Sequence, residues 1–209
     1  MKIINFLMMF FLLNSTIYGK TPEKTKISKT KEVKQMELKG KKVVMIIASK
    51  NFRDEEYLEP KKILTEAGAT VVTASSSLSQ ATGMLGAKVK PDILISDLNP
   101  DDYDAVIFVG GSGSDEYWEN SVAHNIARKA IEKNKIVSAI CIAPVTLANA
   151  GILTGKKVTA FPSVQGQISK SGAKYTGRPV EQDGKIITGS GPEAAHQFGE
   201  TIKKALLSK

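Results

Sequence analysis

Three short and almost entirely apolar runs constrain the fold of this chain most strongly. They are Val43–Ala48, Ala105–Val109 and Ile136–Ile140. A strand that is apolar on both sides is buried on both faces, which is typical of a parallel sheet covered by helices. A segment with helical character follows each run, so the connections between the strands are expected to be right-handed crossovers.

The segments around these runs complete an alternating pattern of strands and helices. Helices are predicted over 54–67, 121–133, 144–150, 163–171 and 193–207, and further strands over 70–74 and 157–160. The dipeptide Asp183-Gly184 favours a tight turn and predicts a hairpin, and the glycine-broken segment 83–89 predicts a smaller one. The pattern therefore indicates an α/β fold with a mainly parallel sheet and helices on both faces.

The first 42 residues differ in composition and are predicted to lie outside this fold. Residues 1–19 contain one lysine and the apolar run Ile3–Leu13, which is typical of a secretory signal. That run is shorter than the roughly 20 residues of a membrane span. Residues 20–42 contain nine lysines and three glutamates and are expected to form a lysine-rich linker, followed by one domain over 43–209. Export is the expected localisation, and an uncleaved N-terminal membrane anchor is the alternative.

The formal net charge of +8 comes mainly from the linker. Residues 43–209 carry nineteen Lys or Arg and eighteen Asp or Glu, so the domain is almost neutral. With an aromatic content of 6%, this balance argues against a nucleic-acid surface. The linker could make a weak contact with an anionic surface, although a solvated tether is the simpler interpretation. One cysteine excludes an internal disulfide, and with two histidines it gives no reason to expect a metal site.

The single cysteine follows the third apolar run, where ligands bind in parallel sheets. Cys141 lies between Ala139 and Ala143, small residues that a sharp strand-to-helix turn requires, and Pro144 suits the start of a helix. The helix dipole is expected to lower the pKa of the thiol, and backbone N–H groups there and at Gly110-Gly111 could hold an oxyanion. A buried, inert cysteine is an equally open interpretation.

Glu56 is the second candidate, because it lies in the first turn of the first predicted helix at the same sheet edge. A protonated carboxyl group would donate a hydrogen bond to a thiolate, whereas an ionised one would oppose it. The neighbouring Asp54 and Glu55 have a simpler role, since acidic residues at a helix start complement its dipole. Exposed capping is also the default interpretation for Glu56.

Taken together, these motifs resemble the DJ-1/PfpI superfamily, which shares the class I glutamine amidotransferase-like fold. The matching segments occur in the family's order and are Phe52–Glu56, Phe108–Gly111, Ala139–Pro144, Asp183–Thr188 and Gly191–Pro192. The resemblance implies a flavodoxin-like three-layer sandwich that forms a homo-oligomer. It also implies that Cys141 is a nucleophile and that Glu56 is its carboxyl partner, with no metal or organic cofactor. The amides of Gly110, Gly111 and Ile142 would then supply an oxyanion hole.

The chain departs from the family at the positions where other members have a histidine. Ile142 follows the cysteine directly, and Phe161 stands at the other place. With Pro192, Phe161 is expected to line a small apolar pocket. Neither His124 nor His196 has a sequence position that argues for contact with the cysteine. Peptide hydrolysis is therefore the least favoured of the functions found in this family.

Three hypotheses follow for the function. The first is a cysteine-dependent hydrolase or lyase that acts on small carbonyl or amide substrates, as a glyoxalase III or deglycase does. The second is a redox-sensing or chaperone-like stress protein that uses the oxidisable Cys141. The third is a pseudo-enzyme with an unreactive thiol, which a thiol pKa near or above the ordinary value of about 8.5 would favour.

Overall fold

The computed structural model describes residues 37–208. The predicted signal segment and residues 20–36 of the predicted linker lie outside this range. The remainder of that linker is packed against the domain. Leu38 is fully buried, its N–H donates to the carbonyl of Ala67 at 2.8 Å, and the first strand begins at Lys42. The packed part of the chain therefore includes residues before position 43.

The strands and helices alternate along the chain as the apolar runs predict. The strands are β1 (Lys42–Ile46), β2 (Lys50–Phe52), β3 (Thr70–Ser75), β4 (Ala81–Gly83), β5 (Lys88–Val89), β6 (Ile93–Leu94), β7 (Ala105–Phe108), β8 (Ile136–Ile140), β9 (Lys157–Val158), β10 (Lys174–Tyr175), β11 (Val180–Asp183) and β12 (Ile186–Gly189). The α-helices are α1 (Asp54–Glu66), α2 (Ser121–Glu132), α3 (Pro144–Asn149), α4 (Gln165–Lys170) and α5 (Ala195–Leu207).

Seven of these strands form the central sheet in the order β11-β12-β8-β7-β1-β3-β6. All neighbours are parallel except β11 and β12, which form the hairpin predicted at Asp183-Gly184. Strands β4 and β5 form the smaller antiparallel hairpin. The prediction of a mainly parallel sheet is confirmed, so the carboxyl ends of β1, β7, β8 and β12 meet at one edge.

The sheet separates two apolar cores, because successive residues of a strand point to opposite faces. In β1, Val44 and Ile46 belong to the core beneath α2, α3 and α4, whereas Val43 and Met45 belong to the core beneath α1 and α5. Helix α1 packs against α5 on the second face. The molecule is therefore the three-layer α/β/α sandwich expected from the family resemblance.

The differences from the predicted elements are small and local. Single turns of 3-10 helix, Pro162–Val164 and Pro192–Ala194, precede α4 and α5, where proline begins the turn. Strands β2, β6 and β10 were not expected, because two or three residues make no recognisable apolar pattern. Strand β9 covers the first half of the strand predicted over 157–160. Within residues 37–208, no helix is both long enough and apolar enough to span a membrane.

Candidate active site

Cys141 lies directly after β8 in a left-handed backbone conformation, with a φ of 64°. For a residue other than glycine this conformation costs about 1–2 kcal/mol, so neighbouring contacts must hold it. The N–H of Cys141 donates to the carbonyl of Gly189 at 2.9 Å, and its own carbonyl accepts from the N–H of Phe161 at 2.8 Å. The turn is thus fixed from both sides, and the thiol is turned away from the regular direction of the strand.

Glu56 projects from the first turn of α1 into the same place and is fully buried. The Cys141 thiol and the N–H of Gly110 are the polar groups that face its carboxyl group, although neither oxygen has a partner of full hydrogen-bond geometry within residues 37–208. A Cβ atom on Gly110 would overlap Glu56 Oε2 and would lie 2.6 Å from the Cβ of Cys141. The side chains of Glu56 and Cys141 therefore meet across a glycine that leaves room for both.

Two backbone N–H groups face the sulfur of Cys141, those of Gly111 and Ile142. The peptide bond is planar and trans, so a carbonyl that is held on one side aims the N–H of the same peptide to the other side. The carbonyl of Gly110 accepts from the N–H of Arg53 at 2.9 Å, and that of Cys141 accepts from Phe161. Both amides are consequently oriented before any substrate arrives, as an oxyanion site requires.

The structure divides the three amides that the sequence predicted to act together. Those of Gly111 and Ile142 lie at the sulfur, whereas that of Gly110 faces the carboxyl group of Glu56. Gly111 has a φ of 100°, and a Cβ there would overlap the backbone of Asn51 and Arg53. Glycine is needed at Gly111 because the chain segments after β1 and β7 approach each other closely, and at Gly110 because the side chains of Glu56 and Cys141 occupy the space.

The environment strongly favours the neutral form of Glu56. Burial raises the pKa of its carboxyl group to about 8, and the smaller effects of the Cys141 thiol, the Arg53 charge and the Gly110 amide do not reverse this. The carboxyl group is therefore mainly protonated at neutral pH. This is the form that can donate a hydrogen bond to sulfur.

The expected lowering of the Cys141 pKa is wrong. Burial raises the pKa of the thiol well above its ordinary value, and a negative charge on Glu56 would raise it further. The amides of Gly111 and Ile142 act in the opposite direction but do not compensate for the loss of water around a residue that is only 9% exposed. The helix-dipole argument did not account for this burial. When Glu56 is protonated, it carries no negative charge that could raise the pKa of Cys141 further.

The other two acidic residues of the first turn have separate structural roles. Asp54 was expected to be exposed, but it is buried and accepts hydrogen bonds from the N–H groups of Leu85 and Ala87 at 2.8 and 2.7 Å. Glu55 forms two hydrogen bonds with the guanidinium group of Arg53, at 2.8 and 3.0 Å. These contacts hold the start of α1, and thereby Glu56, against the β4–β5 hairpin and the segment that precedes the helix.

The two predicted pocket residues lie on the rim of this site. The backbone of Phe161 contacts Cys141, and its side chain is 40% exposed. A Cβ on Gly191 would lie 3.2 Å from the Phe161 ring, so the loop that continues into Pro192 passes directly beside the ring. An apolar and partly exposed ring therefore lies next to the site, with Glu193 beside it.

Both histidines have partners other than the sulfur. His124 Nε2 lies 2.8 Å from the carbonyl oxygen of Trp118, and His196 is 72% exposed beside Glu59. Trp118 contacts the turn that carries Cys141, although the sequence did not assign this residue to the site. Its indole N–H donates to the carbonyl of Ile142 at 3.2 Å. Only its position shortly after the Gly110-Gly111 turn hinted at this location.

The chemistry available at the site is that of a thiol, a carboxylic acid and two oriented amides. Within residues 37–208, no group of three or more His, Cys, Asp or Glu side chains could hold a metal ion. The thiol can add to an electrophilic carbon, the acid can move protons, and the amides can stabilise a negative oxygen.

Comparisons of sequence and of structure both relate this chain to the same protein family. The model of the DJ-1/PfpI family matches residues 41–205. The protein MJ0967 of Methanocaldococcus jannaschii is 44% identical over 176 residues, which are 83% of this chain and 86% of that protein. Deglycase PfpI of Pyrococcus furiosus is 32% identical over 163 residues, which are 78% of this chain and 98% of that protein.

Solved structures with the same fold include the ThiJ/PfpI domain protein of Brachyspira murdochii. It has a TM-score of 0.78 and 31% identity, with coverage of 80% of this chain and 98% of that one. Drosophila melanogaster DJ-1beta has a TM-score of 0.75 and 28% identity, with coverage of 81% and 91%.

Proposed function

The chain belongs to the DJ-1/PfpI family, and from this premise we propose that it is a cofactor-independent enzyme whose Cys141 adds to small reactive carbonyl compounds. The observation that carries the proposal is the buried contact between a thiol and a protonated carboxyl group beside two oriented amides. Four relatives that match this chain carry the name deglycase, which supports the same class of substrate.

The first step is addition of the thiol to an aldehyde. The sulfur bonds to the aldehyde carbon, and the π electrons of the carbonyl move to its oxygen, which the amides of Gly111 and Ile142 stabilise. One oxygen of the neutral Glu56 carboxyl group accepts the thiol proton while the other oxygen gives its proton to the new alkoxide. The product is a hemithioacetal, and no full negative charge has to form on the buried sulfur.

The second step applies to 2-oxoaldehydes such as methylglyoxal. One oxygen of the neutral Glu56 carboxyl group accepts the C1 proton while the other gives its proton to the C2 carbonyl oxygen, which forms an enediol. The carboxyl group then gives a proton to C2 and accepts the C1 hydroxyl proton, which leaves the thioester of lactate and a neutral Glu56. Water then cleaves the thioester, giving lactate and the free thiol. The net reaction adds one water to methylglyoxal and uses only side chains of the protein.

Peptide hydrolysis is not favoured, because an amine leaving group needs a proton donor that histidine normally supplies. Ile142 occupies the position after the nucleophile, and His124 and His196 contact Trp118 and Glu59 instead. The apolar rim at Phe161 also suits a small substrate.

The test is the conversion of methylglyoxal into lactate by the purified protein. We expect Cys141→Ala and Glu56→Gln each to reduce kcat by at least about 100-fold. Glu59→Gln is the matched control, because it makes the same chemical change at a half-exposed position of the same helix, away from Cys141, and should leave kcat unchanged. Equal activity of the wild type and both site variants would contradict the proposal. The raised pKa of Cys141 is the sign expected of the pseudo-enzyme, so the reactivity of the neutral thiol decides between the two. A thiol that no electrophile modifies would favour the pseudo-enzyme.

A second candidate function is redox sensing, with a chaperone-like role in the oxidised state. One structural neighbour, at 28% identity and a TM-score of 0.72, is described as oxidised Toxoplasma gondii DJ-1. Oxidation of Cys141 by a peroxide would give a sulfenic and then a sulfinic acid beside the Glu56 carboxyl group and the two amides. Rapid oxidation at Cys141 seen by mass spectrometry, without methylglyoxal turnover, would favour this function over the enzyme.

We also propose that the protein is a homo-oligomer. Large apolar side chains are exposed at Leu58 on α1 and at Met84 and Leu85 on the β4–β5 hairpin, which Asp54 ties to the same helix. A second copy would cover this surface. Sedimentation velocity should show a dimer or larger species that Leu85→Asp dissociates, and a monomeric wild type would contradict the proposal.

A further inference from the structure

Trp118 connects the loop after β7 with the turn that carries Cys141. Its indole N–H donates to the carbonyl of Ile142 at 3.2 Å, and the N–H of Val145 donates to the same oxygen at 3.2 Å. The preceding peptide, which supplies the Ile142 N–H, is held by the bond from Phe161 to the Cys141 carbonyl. The peptide planes on both sides of the Ile142 Cα are therefore fixed.

Trp118 is itself held by neighbouring side chains. Its carbonyl oxygen contacts His124 Nε2 at 2.8 Å and accepts from Asn149 Nδ2 at 2.9 Å. The same amide group of Asn149 donates to Glu119 Oε1 at 2.8 Å. Since His124 lies on α2 and Asn149 at the end of α3, the tryptophan is anchored to two helices while its ring contacts the turn.

We propose that Trp118 is a positioning residue, which holds the Ile142 amide in the direction that a negative oxygen at Cys141 requires. An amide that must first rotate loses part of its effect, because an oxyanion site works by orientation established in advance. This inference rests on the proposed nucleophilic role of Cys141. It does not depend on the identity of the substrate, because the Ile142 N–H also faces the sulfur itself.

The chain has one tryptophan, so the fluorescence of the unmodified protein reports on this contact directly. Carboxymethylation of Cys141 by iodoacetate places a charged group beside the Ile142 amide. We expect the emission of Trp118 to change in intensity or wavelength as the thiol is modified, at the same rate as the mass increases. An emission spectrum that stays the same after complete modification would overturn the proposal.

The decisive variant is Trp118→Phe, which retains an aromatic ring and removes the N–H donor. We expect kcat for methylglyoxal to fall about tenfold with KM within about twofold of the wild type, as for the loss of one hydrogen bond that matters mainly in the transition state. Alkylation of Cys141 by iodoacetamide should also slow by about threefold at pH 7. Unchanged kcat and alkylation rates would overturn the proposal.

Tyr117→Phe is the matched control on the same loop. It removes a hydroxyl group that donates to the carbonyl of Ile47 at 2.9 Å, so it weakens the fold without touching the turn at Cys141. We expect a lower Tm and an unchanged alkylation rate. Equal slowing in both variants would mean that general loosening of the loop is responsible, which overturns the proposal. If the wild type does not convert methylglyoxal at all, the proposed function fails, while the alkylation and fluorescence results still decide the role of Trp118.

Discussion

Asp104 and Asp183, at the amino ends of the central strands, have environments opposite to that of Glu56 at the carboxyl ends. At the amino ends of the strands, Asp104 accepts from the backbone N–H of Lys42 at 2.9 Å and from the Lys41 ammonium group at 3.3 Å. Asp183 has partners of the same two kinds. It accepts from the backbone N–H of Lys157 at 2.9 Å and from the Lys156 ammonium group at 3.3 Å. At the carboxyl ends, Glu56 is buried without a partner of full geometry among the described residues.

The charge state of each edge follows from this difference. Hydrogen bonds and lysine charges lower the pKa of Asp183, whereas burial raises the pKa of Glu56. The amino edge is thus built from locally favourable contacts. The carboxyl edge contains Cys141 in a left-handed backbone conformation and the buried carboxyl group of Glu56. Each of these features costs free energy, and the surrounding backbone holds both in place. Features of this kind mark the edge where chemistry is expected.

The largest effect is expected from Gly110→Ala, which tests whether the carboxyl edge has any free space. The new methyl group would overlap Glu56 Oε2 and lie 2.6 Å from the Cβ of Cys141, so the loss of stability should reach about 3 kcal/mol or more. Urea denaturation measures the change. The control is Gly166→Ala in α4, where a Cβ meets nothing within 4 Å and helix propensity should increase stability slightly. Similar stability of the two variants would show that the site is not tightly packed.

The next effect is the pH dependence of stability that Glu56 creates. The folded protein keeps this proton up to a pKa of about 8, while the unfolded chain loses it near about 4.3. Between these values the folded state binds more protons than the unfolded chain, so the free energy of unfolding should fall as pH rises. The total decrease should be on the order of a few kcal/mol, and it should level off above pH 8.

Glu56→Gln measures this contribution, because the amide is similar in shape and does not titrate. Urea titrations of both proteins from pH 5 to 9 should show a weaker decline in the variant, with the variant gaining relative to the wild type as pH rises. Parallel curves would mean that Glu56 is ionised in the folded protein at neutral pH, which would contradict the relay through a neutral carboxyl group.

Much of the fold could be predicted from the sequence, because buried parallel strands such as β1, β7 and β8 are long apolar runs. The short strands β6 and β10 could not, because two residues make no recognisable pattern and each strand is defined by its pairing with a strand elsewhere in the chain. For the same reason the segment containing Leu38 was assigned to the linker, although a single leucine fills the core beside Ala67.

The predicted site was a set of residues at one edge, and topology alone brought Cys141 and Glu56 to that edge. Their ionisation could not be predicted, because it depends on how completely the surrounding chain removes water from the sulfur. The sequence also gave no way to separate the amide of Gly110, which faces Glu56, from that of Gly111, which faces the sulfur. The contact of Trp118 with Ile142 likewise depends on the path of an irregular loop.

The smallest effect is expected from Asp183→Asn at the amino edge. Its partners are at the surface, so the loss of stability at pH 7 should be at most about 1 kcal/mol and should shrink with added salt. Because the folded pKa of Asp183 is lowered, its contribution is present above the ordinary value of about 3.9 and is lost as the pH falls through the folded pKa. Stability of the wild type and the variant should therefore converge in acid, opposite to the behaviour expected for Glu56. A loss at Asp183 as large as that at Gly110 would mean that both edges are equally constrained, and the carboxyl edge would no longer be distinguished by its packing.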